Sequence, residues 1–292
     1  MTIAVYARPN ADNHATYITE LAYLLDQEGV ELIIHEAFYF YLKNQQHVTL
    51  KLPTYNTAAQ LISKADYLIC LGGDGTMLEA LTYVRTSGIP VLGINTGRLG
   101  FLSPVHKEDF KKAVLAIIRE QYSLDKRELL QIDGYQNEFD ELNYALNECT
   151  IHKHDRSAMI HIDTFVDDIY LNTYFADGLI VSTSTGSTAY SLSCGGPIMM
   201  PDSDNFIITP VAPHNLAMRP LVLSNHHELR FQVEGRTNAY NVTLDNRTVK
   251  MDLHQTLRIK KADFKLNLIN IEGHHFFNTL RNKLMWGADK RF

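Results

Sequence analysis

Hydrophobic positions in the first third of the chain alternate between short continuous runs and helical spacing. Continuous apolar runs predict strands at residues 3–7, 31–35, 66–71 and 89–94. The run at 66–71 is almost entirely apolar, which is typical of a strand buried in a parallel sheet. Helical spacing predicts helices at residues 15–27, 76–85 and 106–119. This βαβα order predicts an open, mostly parallel α/β domain.

The spacing changes to strict alternation in the second half of the chain. Apolar and polar residues alternate over residues 160–166, 229–234, 240–245 and 264–268. Many short alternating segments predict a mostly antiparallel, β-sandwich-like domain. We therefore predict an α/β domain over residues 1–122 and an all-β domain over residues 123–275. Residues 276–286 return to helical spacing, and the tail 276–292 can pack back on the first domain.

Length, charge and cysteine content narrow the class of protein. A chain of 292 residues favours two domains over one. The net charge of −6 lacks the basic footprint of a nucleic-acid-binding protein, so we expect no nucleic-acid partner. Without a signal-peptide pattern or a membrane-length apolar run, a cytoplasmic location without membrane contact is expected. The widely spaced Cys70, Cys149 and Cys194 favour neither a disulfide framework nor a zinc site.

A glycine-rich loop follows the buried strand at 66–71 and opens the next helix. It consists of Gly72, Gly73, Asp74, Gly75 and Thr76. The glycines allow a ligand to approach the backbone, and the helix N-terminus favours an anion, so the loop predicts a phosphate site. A carboxylate repels phosphate, so the presence of Asp74 in this loop needs an explanation. Asp74 can accept a proton from an attacking hydroxyl, hold a divalent cation, or do both. The alternative is a tight structural turn in which Asp74 caps the helix.

Other nucleotide-binding patterns are missing or wrongly spaced. The chain has no Walker A sequence, which argues against a P-loop kinase. Gly93, Gly97 and Gly100 do not have the spacing of the dehydrogenase fingerprint.

Two further polar segments carry candidate binding chemistry. Residues 177–190 combine an apolar strand with a loop dense in hydroxyl side chains, which can donate to ribose, amide or phosphate groups. A Ser/Thr-rich surface turn is the alternative for this loop. Asn147 and Glu148 suit a ribose diol, although such a pair alone is more often a solvated turn.

Together these motifs resemble bacterial NAD kinases over nearly the whole chain. The matching segments, in chain order, are residues 72–76, 95–97, 99–101, 147–148, 177–178, 185–190, 195–197, 213–214, 219–220, 276–277 and 286–287. The Gly-Gly-Asp-Gly motif is shared with lipid kinases and phosphofructokinases, whereas the later motifs are specific to NAD kinases. The resemblance implies an α/β domain, a β domain and an active site between them. It also implies a homodimer or homotetramer, with NAD and ATP or another triphosphate or polyphosphate as substrates.

The resemblance also implies roles for individual residues. Asp74 would accept the proton of the ribose 2′-hydroxyl, and a divalent cation, Mg²⁺, would be held mainly through the donor phosphates rather than by protein ligands. The phosphate loop would consist of Gly72, Gly73, Gly75 and Thr76. The substrate-binding residues would be Gly75, Phe101, Asn147, Glu148, Asp177, Thr185, Thr188, Ala189, Tyr190, Ser193, Asp245, Asn246 and Arg247.

Two positions depart from the family pattern. Many Gram-negative relatives carry arginine where this chain has Phe175, which leaves a charged substrate contact and the choice between NAD and NADH open. Arg247 stands where an uncharged residue is common, so it meets a phosphate or is a solvated turn residue.

Three rival functions fit parts of the sequence. A lipid kinase would share the glycine-rich loop, but it would need an apolar acceptor pocket where this chain has hydroxyl groups. A non-catalytic dinucleotide-binding regulator would not need Asp74. A metalloenzyme is disfavoured because the histidines lack the spacing of a zinc protease.

Overall fold

The structure is a computed structural model of the chain. It describes residues 1–9, 14–45, 47–97, 100–133, 135, 138–154, 159–236, 238–253, 255–273 and 275–285. Leu99, Trp286 and Gly287, which belong to the motifs above, lie outside the described residues. The chain divides into two compact units, Met1–Lys126 with Asn267–Phe292 and Arg127–Leu266. The divisions fall after residues 126 and 266, whereas the sequence-based boundaries are 122/123 and 275/276.

The described part of the first unit contains a parallel sheet with helices. Its elements are β1 (Thr2–Tyr6), α1 (His14–Gln27), β2 (Glu31–His35), α2 (Glu36–Gln45), β3 (Thr54–Tyr55), α3 (Ala58–Lys64), β4 (Tyr67–Leu71), α4 (Asp74–Val84), β5 (Val91–Asn95), β6 (Val105–His106) and α5 (Phe110–Ile118). Strands β5, β4, β1, β2 and β3 are neighbours in that order, and every pair is parallel. The helix predicted at 106–119 is a 3₁₀ turn, Lys107–Asp109, followed by α5.

Alternation along the strands places one face of this sheet against helices. Ile69 and Leu71 of β4 join a buried cluster with Ile18 of α1 and Val114 of α5. Successive strand residues point to opposite faces, so Leu68 and Cys70, also buried, point to the other side. A strand that is buried on both faces reads as a continuous apolar run, which explains the sequence of β4.

The second unit consists mainly of antiparallel strands. Continuing in chain order, the remaining elements are β7 (Ser123–Ile132), β8 (Tyr144–Ala145), β9 (Glu148–Lys153), β10 (Ile160–Val166), β11 (Ile169–Ala176), β12 (Gly178–Thr183), α6 (Tyr190–Ser193), β13 (Asn205–Val211), β14 (Leu221–Ser224), β15 (Leu229–Gly235), β16 (Ala239–Leu244), β17 (Arg247–Asp252), β18 (Leu257–Asn270) and α7 (Phe276–Leu284). The last residues of β18 and all of α7 belong to the first unit.

Two antiparallel layers share the core of the second unit. One layer has the strand order β14-β13-β12-β9-β16-β17, and the other contains β11, β10, β15 and the beginning of β18. Ile151 and Val181 of the first layer belong to the same buried cluster as Ile162 and Phe231 of the second. This is the arrangement of a β-sandwich. The predicted fold, an α/β domain and a sandwich-like β domain, is confirmed.

No helix in the described ranges is long and apolar enough to cross a lipid bilayer.

Candidate active site

The glycine-rich loop connects the carboxyl end of β4 to α4. Gly73 is the N-cap of α4, and Asp74 is its first helical residue. Gly72 has a φ of 154°, and a Cβ atom there would lie 2.5 Å from Thr76 Oγ1. Glycine is therefore required at position 72 by both the backbone and the tight packing of the turn. The exposed N-terminus of α4 presents backbone N–H groups, which is the usual basis of a phosphate site.

The Asp74 carboxylate is held by the loop that follows β5. Phe101 N donates to Asp74 Oδ2 at 3.0 Å, and Leu102 N donates to Asp74 Oδ1 at 2.9 Å. The N-cap is Gly73 and not Asp74, so the alternative in which Asp74 caps its own helix is wrong. The backbone amides of Phe101 and Leu102 bind both carboxylate oxygens instead. The acid is fixed in orientation while 29% of its side chain stays exposed.

Gly100 makes this arrangement possible. A Cβ atom at position 100 would lie 2.0 Å from Asp74 Oδ1. Any larger residue would displace the carboxylate, because real contacts of this kind begin near 3.4 Å. In the sequence, Gly100 is notable only because its spacing from Gly93 and Gly97 does not match the dehydrogenase fingerprint. Its packing against Asp74 cannot be predicted from local spacing.

The C-terminal helix α7 contacts the same loop. Lys283 Nζ lies 3.1 Å from Asp74 Oδ2 and 4.7 Å from the centre of the Phe101 ring. Phe276, at the start of α7, packs against Phe101 with 6.0 Å between ring centres. Sequence analysis missed Lys283, which is separated from Asp74 by 209 positions.

Arg8 supports the loop from the neighbouring strand. It follows β1, and its Nη2 donates to Gly75 O at 3.1 Å. The same guanidinium pairs with Glu79 of α4, since Nη2 lies 2.5 Å from Oε1 and Nε lies 2.9 Å from Oε2. Sequence analysis also missed this pair, which ties β1 to the first turns of α4.

In the second unit, Asp245 organises the segment that carries Asn147 and Glu148. Asp245 Oδ2 accepts from Leu146 N at 2.9 Å, and Oδ1 accepts from Asn147 N at 2.8 Å and from Glu148 N at 3.2 Å. Asp245 and Asn246 form the two-residue turn between β16 and β17. Asp245 has a φ of 53°, a left-handed conformation that aspartate adopts more readily than most residues.

Glu148 is a buried acid beside a second buried acid. Burial, followed by the negative charge of Asp245, raises the pKa of Glu148 to about 8, against a smaller opposing effect of a hydrogen bond from the Tyr190 amide. Burial also raises the pKa of Asp245, but three amides and Arg247 favour its charged form. We therefore assign the negative charge of the pair to Asp245 and the proton to Glu148 at neutral pH.

One oxygen of Glu148 is buried without a protein partner. Within the described ranges, the buried Oε2 atom of Glu148 has no hydrogen-bond partner. Buried polar atoms are nearly always satisfied, so this oxygen is available to a ligand hydroxyl. Glu148 and Asn147 are each only 8% exposed, so they are not a solvated turn.

The hydroxyl-rich loop packs directly on Asn147. Thr183 Oγ1 donates to Leu146 O at 2.6 Å and accepts from Gly186 N at 3.1 Å. A Cβ atom at Gly186 would lie 2.1 Å from Asn147 O, so only glycine permits the approach. Thr185 is buried, Thr188 and Ala189 are half-buried, and Tyr190 and Ser193 are exposed. The start of the loop is therefore packed against the segment that carries Asn147, and it is not a free surface turn.

Asp177 lies at the other end of β12 from this cluster. β12 pairs with β9 so that Gly178 faces His152 and Ser182 faces Glu148. The Asp177 carboxylate pairs with Lys153 Nζ at 2.5 Å. Phe175, the departure noted above, is 42% exposed.

Arg247 is held inside the protein. Its guanidinium donates to the backbone oxygens of Leu142 and Tyr144, and it lies 3.9 Å from Asp245 Oδ2. Only 21% of its side chain is exposed. The alternative of a solvated turn residue is therefore wrong, because the guanidinium is used to satisfy backbone carbonyls next to Asn143.

The two halves of the chain match two named domain families. Residues 3–122 match the ATP-NAD kinase N-terminal domain, and residues 146–271 match the ATP-NAD kinase C-terminal domain. The chain belongs to the NAD kinase family. The enzyme class predicted from the sequence, an NAD kinase and hence a phosphotransferase, is confirmed.

Curated NAD kinases match the chain along its full length. The NAD kinase of Flavobacterium johnsoniae is 43% identical, and that of Christiangramia forsetii is 40% identical, each over 100% of both chains. Among solved structures, yeast NADH kinase complexed with NADH has the same fold, with a TM-score of 0.87 and 23% identity over 100% of this chain and 89% of that one. An Archaeoglobus fulgidus NAD kinase in complex with ATP gives a TM-score of 0.76 and 25% identity over 97% and 99%.

Proposed function

We propose that the chain transfers the terminal phosphoryl group of ATP, or of another nucleoside triphosphate or polyphosphate, to the 2′-hydroxyl of the adenosine ribose of NAD. The products are NADP and, from ATP, ADP. The observation that carries the proposal is the fixed Asp74 carboxylate at the N-terminus of α4, directly after the glycine-rich loop. A proton acceptor and an anion site therefore lie within one helical turn.

In the proposed step, Asp74 accepts the proton of the 2′-hydroxyl as that oxygen attacks the terminal phosphorus. The new bond joins the ribose oxygen to phosphorus, and the bond between the terminal phosphorus and its bridging oxygen breaks. Phosphoryl transfer depends mainly on positioning and charge neutralisation. The amides of Phe101 and Leu102 supply the positioning, because they fix both carboxylate oxygens before the substrate arrives.

ATP is the donor that we favour. The match to the ATP-NAD kinase domains supports it, and so does the full-length similarity to the Archaeoglobus fulgidus NAD kinase, which was solved in complex with ATP. The loop itself would bind the phosphates through Gly72, Gly73, Gly75 and Thr76, at the exposed start of α4.

We propose Mg²⁺ as the divalent cation, held mainly by the donor phosphates. Within the described ranges, no group of three or more His, Cys, Asp or Glu side chains could hold a metal ion. Mg²⁺ usually keeps several waters and binds through substrate phosphates with few protein ligands. When bound, the cation would offset the negative charge of the phosphates.

For NAD, we propose that Asn147 and Glu148 bind a ribose. A protonated Glu148 can donate one hydrogen bond and accept others, and its unpartnered Oε2 is suited to a ribose hydroxyl. Further contacts to NAD are proposed for Gly75, Phe101, Asp177, Thr185, Thr188, Ala189, Tyr190, Ser193, Asp245, Asn246 and Arg247. Of these, Asp245 and Arg247 would act by holding the Asn147 segment, since their polar groups already bond the backbone there.

We further propose a cytoplasmic homodimer or homotetramer. The free thiols of Cys70, Cys149 and Cys194 suit a reducing compartment. Edge strand β11 exposes Ile169 and Tyr170 by 73% and 56%, and apolar edges of this kind are usually covered. Light scattering after gel filtration should give a dimer or tetramer mass for the wild type and a smaller mass for Ile169→Lys. A wild-type monomer would exclude the oligomer.

The experiment that tests the function is NADP formation by the purified chain. NAD, ATP and Mg²⁺ are supplied, and a dehydrogenase specific for NADP reports the product. GTP or polyphosphate in place of ATP, and NADH in place of NAD, establish the donor and acceptor. Sustained NADP formation supports the proposal. Tight NAD binding without turnover for every donor and acceptor would instead identify a non-catalytic regulator.

A further inference from the structure

We propose that Lys283 is a positioning residue for Asp74, so that α7 takes part in phosphoryl transfer through a single ammonium group. The inference rests on the proposed function, since it assigns Lys283 a task in the step that Asp74 performs. Lys283 lies near the end of α7 and reaches Asp74 Oδ2 at 3.1 Å.

Lys283, Asp74 and Phe101 all contact one another. The backbone amide of Phe101 holds Asp74 Oδ2, and the ring of Phe101 lies 4.7 Å from Lys283 Nζ. A cation at this distance from an aromatic ring is attracted to its face. Phe276, the first residue of α7, packs on the Phe101 ring. Phe101 therefore links the carboxylate, the ammonium and the start of α7.

The charge of Lys283 addresses a problem that the loop creates. A triphosphate brought to the N-terminus of α4 repels the nearby Asp74 carboxylate, and this repulsion favours a rotamer turned away from the phosphates. The ammonium opposes that movement because it is bound to the same oxygen. Lys283 is 35% exposed and Asp74 29% exposed, so the pair can open when the acceptor hydroxyl approaches Oδ2. If α7 only docked on the protein surface, it would not need an ion pair between Lys283 and Asp74.

The test compares Lys283→Met, Lys283→Arg and the double variant Asp74→Asn/Lys283→Met. We expect Lys283→Met to lower kcat about tenfold, because positioned proton transfer contributes rate in powers of ten, and to leave KM for NAD within about twofold. Lys283→Arg, which keeps the cation, should recover most of the lost kcat. In the Asp74→Asn background, Lys283→Met should change kcat by less than about twofold, since a residue acting through Asp74 has nothing left to position.

Arg281→Met is the matched control. Arg281 is exposed on the same helix and bonds only within α7, to Asn278 Oδ1, among the contacts described. This variant should keep wild-type kcat and the wild-type melting temperature.

Three results would overturn the inference. They are a wild-type kcat for Lys283→Met, an equal loss of kcat in the Asp74→Asn background, and the same loss in Arg281→Met. The last two would indicate that α7 acts as a structural prop. Failure of the proposed function is distinguishable, because the wild type would then form no NADP with any donor, and failure of the Asp74 role alone would leave Asp74→Asn turning over normally.

Discussion

Gly100→Ala should lower the catalytic rate while leaving the stability of the fold almost unchanged. The added Cβ would lie 2.0 Å from Asp74 Oδ1 and 2.6 Å from its carboxyl carbon. The first distance is about 1.4 Å short of the 3.4 Å at which ordinary contacts begin. The carboxylate must therefore move by roughly an ångström, and its bonds to the amides of Phe101 and Leu102 must lengthen.

A displacement of about 1 Å in a reacting group can lower the rate about a hundredfold. This corresponds to about 2.7 kcal/mol in the activation free energy. The loss should appear in kcat for NADP formation, while KM for NAD and the thermal unfolding midpoint change little, because Asp74 is partly exposed and no core side chain is lost.

Gly97→Ala is the steric control, since a Cβ atom at position 97 meets nothing within 4 Å. It should retain kcat to within about threefold, as an exposed surface substitution usually does. A Gly100→Ala enzyme with wild-type kcat would refute the reasoning, because Asp74 would then not need the orientation that its two amides fix. An equal loss in Gly97→Ala would show that the segment, and not the contact with Asp74, is what matters.

Two further predictions concern the second unit. The raised pKa of Glu148, about 8 against 4.5, means that its protonation stabilises the fold fully below about pH 4.5 and that this contribution is lost as the pH rises through 8. The unfolding free energy of the wild type should therefore fall by a few kcal/mol relative to Glu148→Gln between about pH 5 and pH 9 in urea titrations, and a constant difference would contradict the assignment. Arg247→Met should lose about 3 kcal/mol of unfolding free energy, because two backbone oxygens and the buried Asp245 lose their cation. Lys250→Met, at an exposed position of the same strand, should lose almost none, and equal losses would contradict this account.

The sequence predicts elements whose periodicity is strong. The strand predicted at 160–166 is β10, Ile160–Val166, and the helix predicted at 15–27 is α1, His14–Gln27. Helix α2, Glu36–Gln45, was not predicted. Its buried Phe38, Tyr39 and Leu42 are interrupted by Phe40, which is 55% exposed, so the apolar stripe that marks an amphipathic helix is obscured.

For the candidate site, too, the sequence predicts the features formed by neighbouring residues and misses those that depend on distant ones. Adjacent residues identify the glycine-rich loop and the Asn147–Glu148 pair, because these chemistries depend on neighbours in the chain. The partners that orient them lie far away in sequence. Lys283 meets Asp74 across 209 positions, and Asp245 meets Leu146 across 99. Such pairings depend on which strands and helices become neighbours, and no residue spacing specifies that.

The central claim is that Asp74 accepts the proton during phosphorylation of NAD, and the most direct test is the turnover number of Asp74→Asn. The substitution keeps the shape of the side chain and removes the charge and the basicity. We expect kcat for NADP formation to fall by two to four powers of ten, the range typical of a lost general base, while NAD binding and the melting temperature remain close to wild type. An Asp74→Asn enzyme that forms NADP at a near-normal rate would contradict the account.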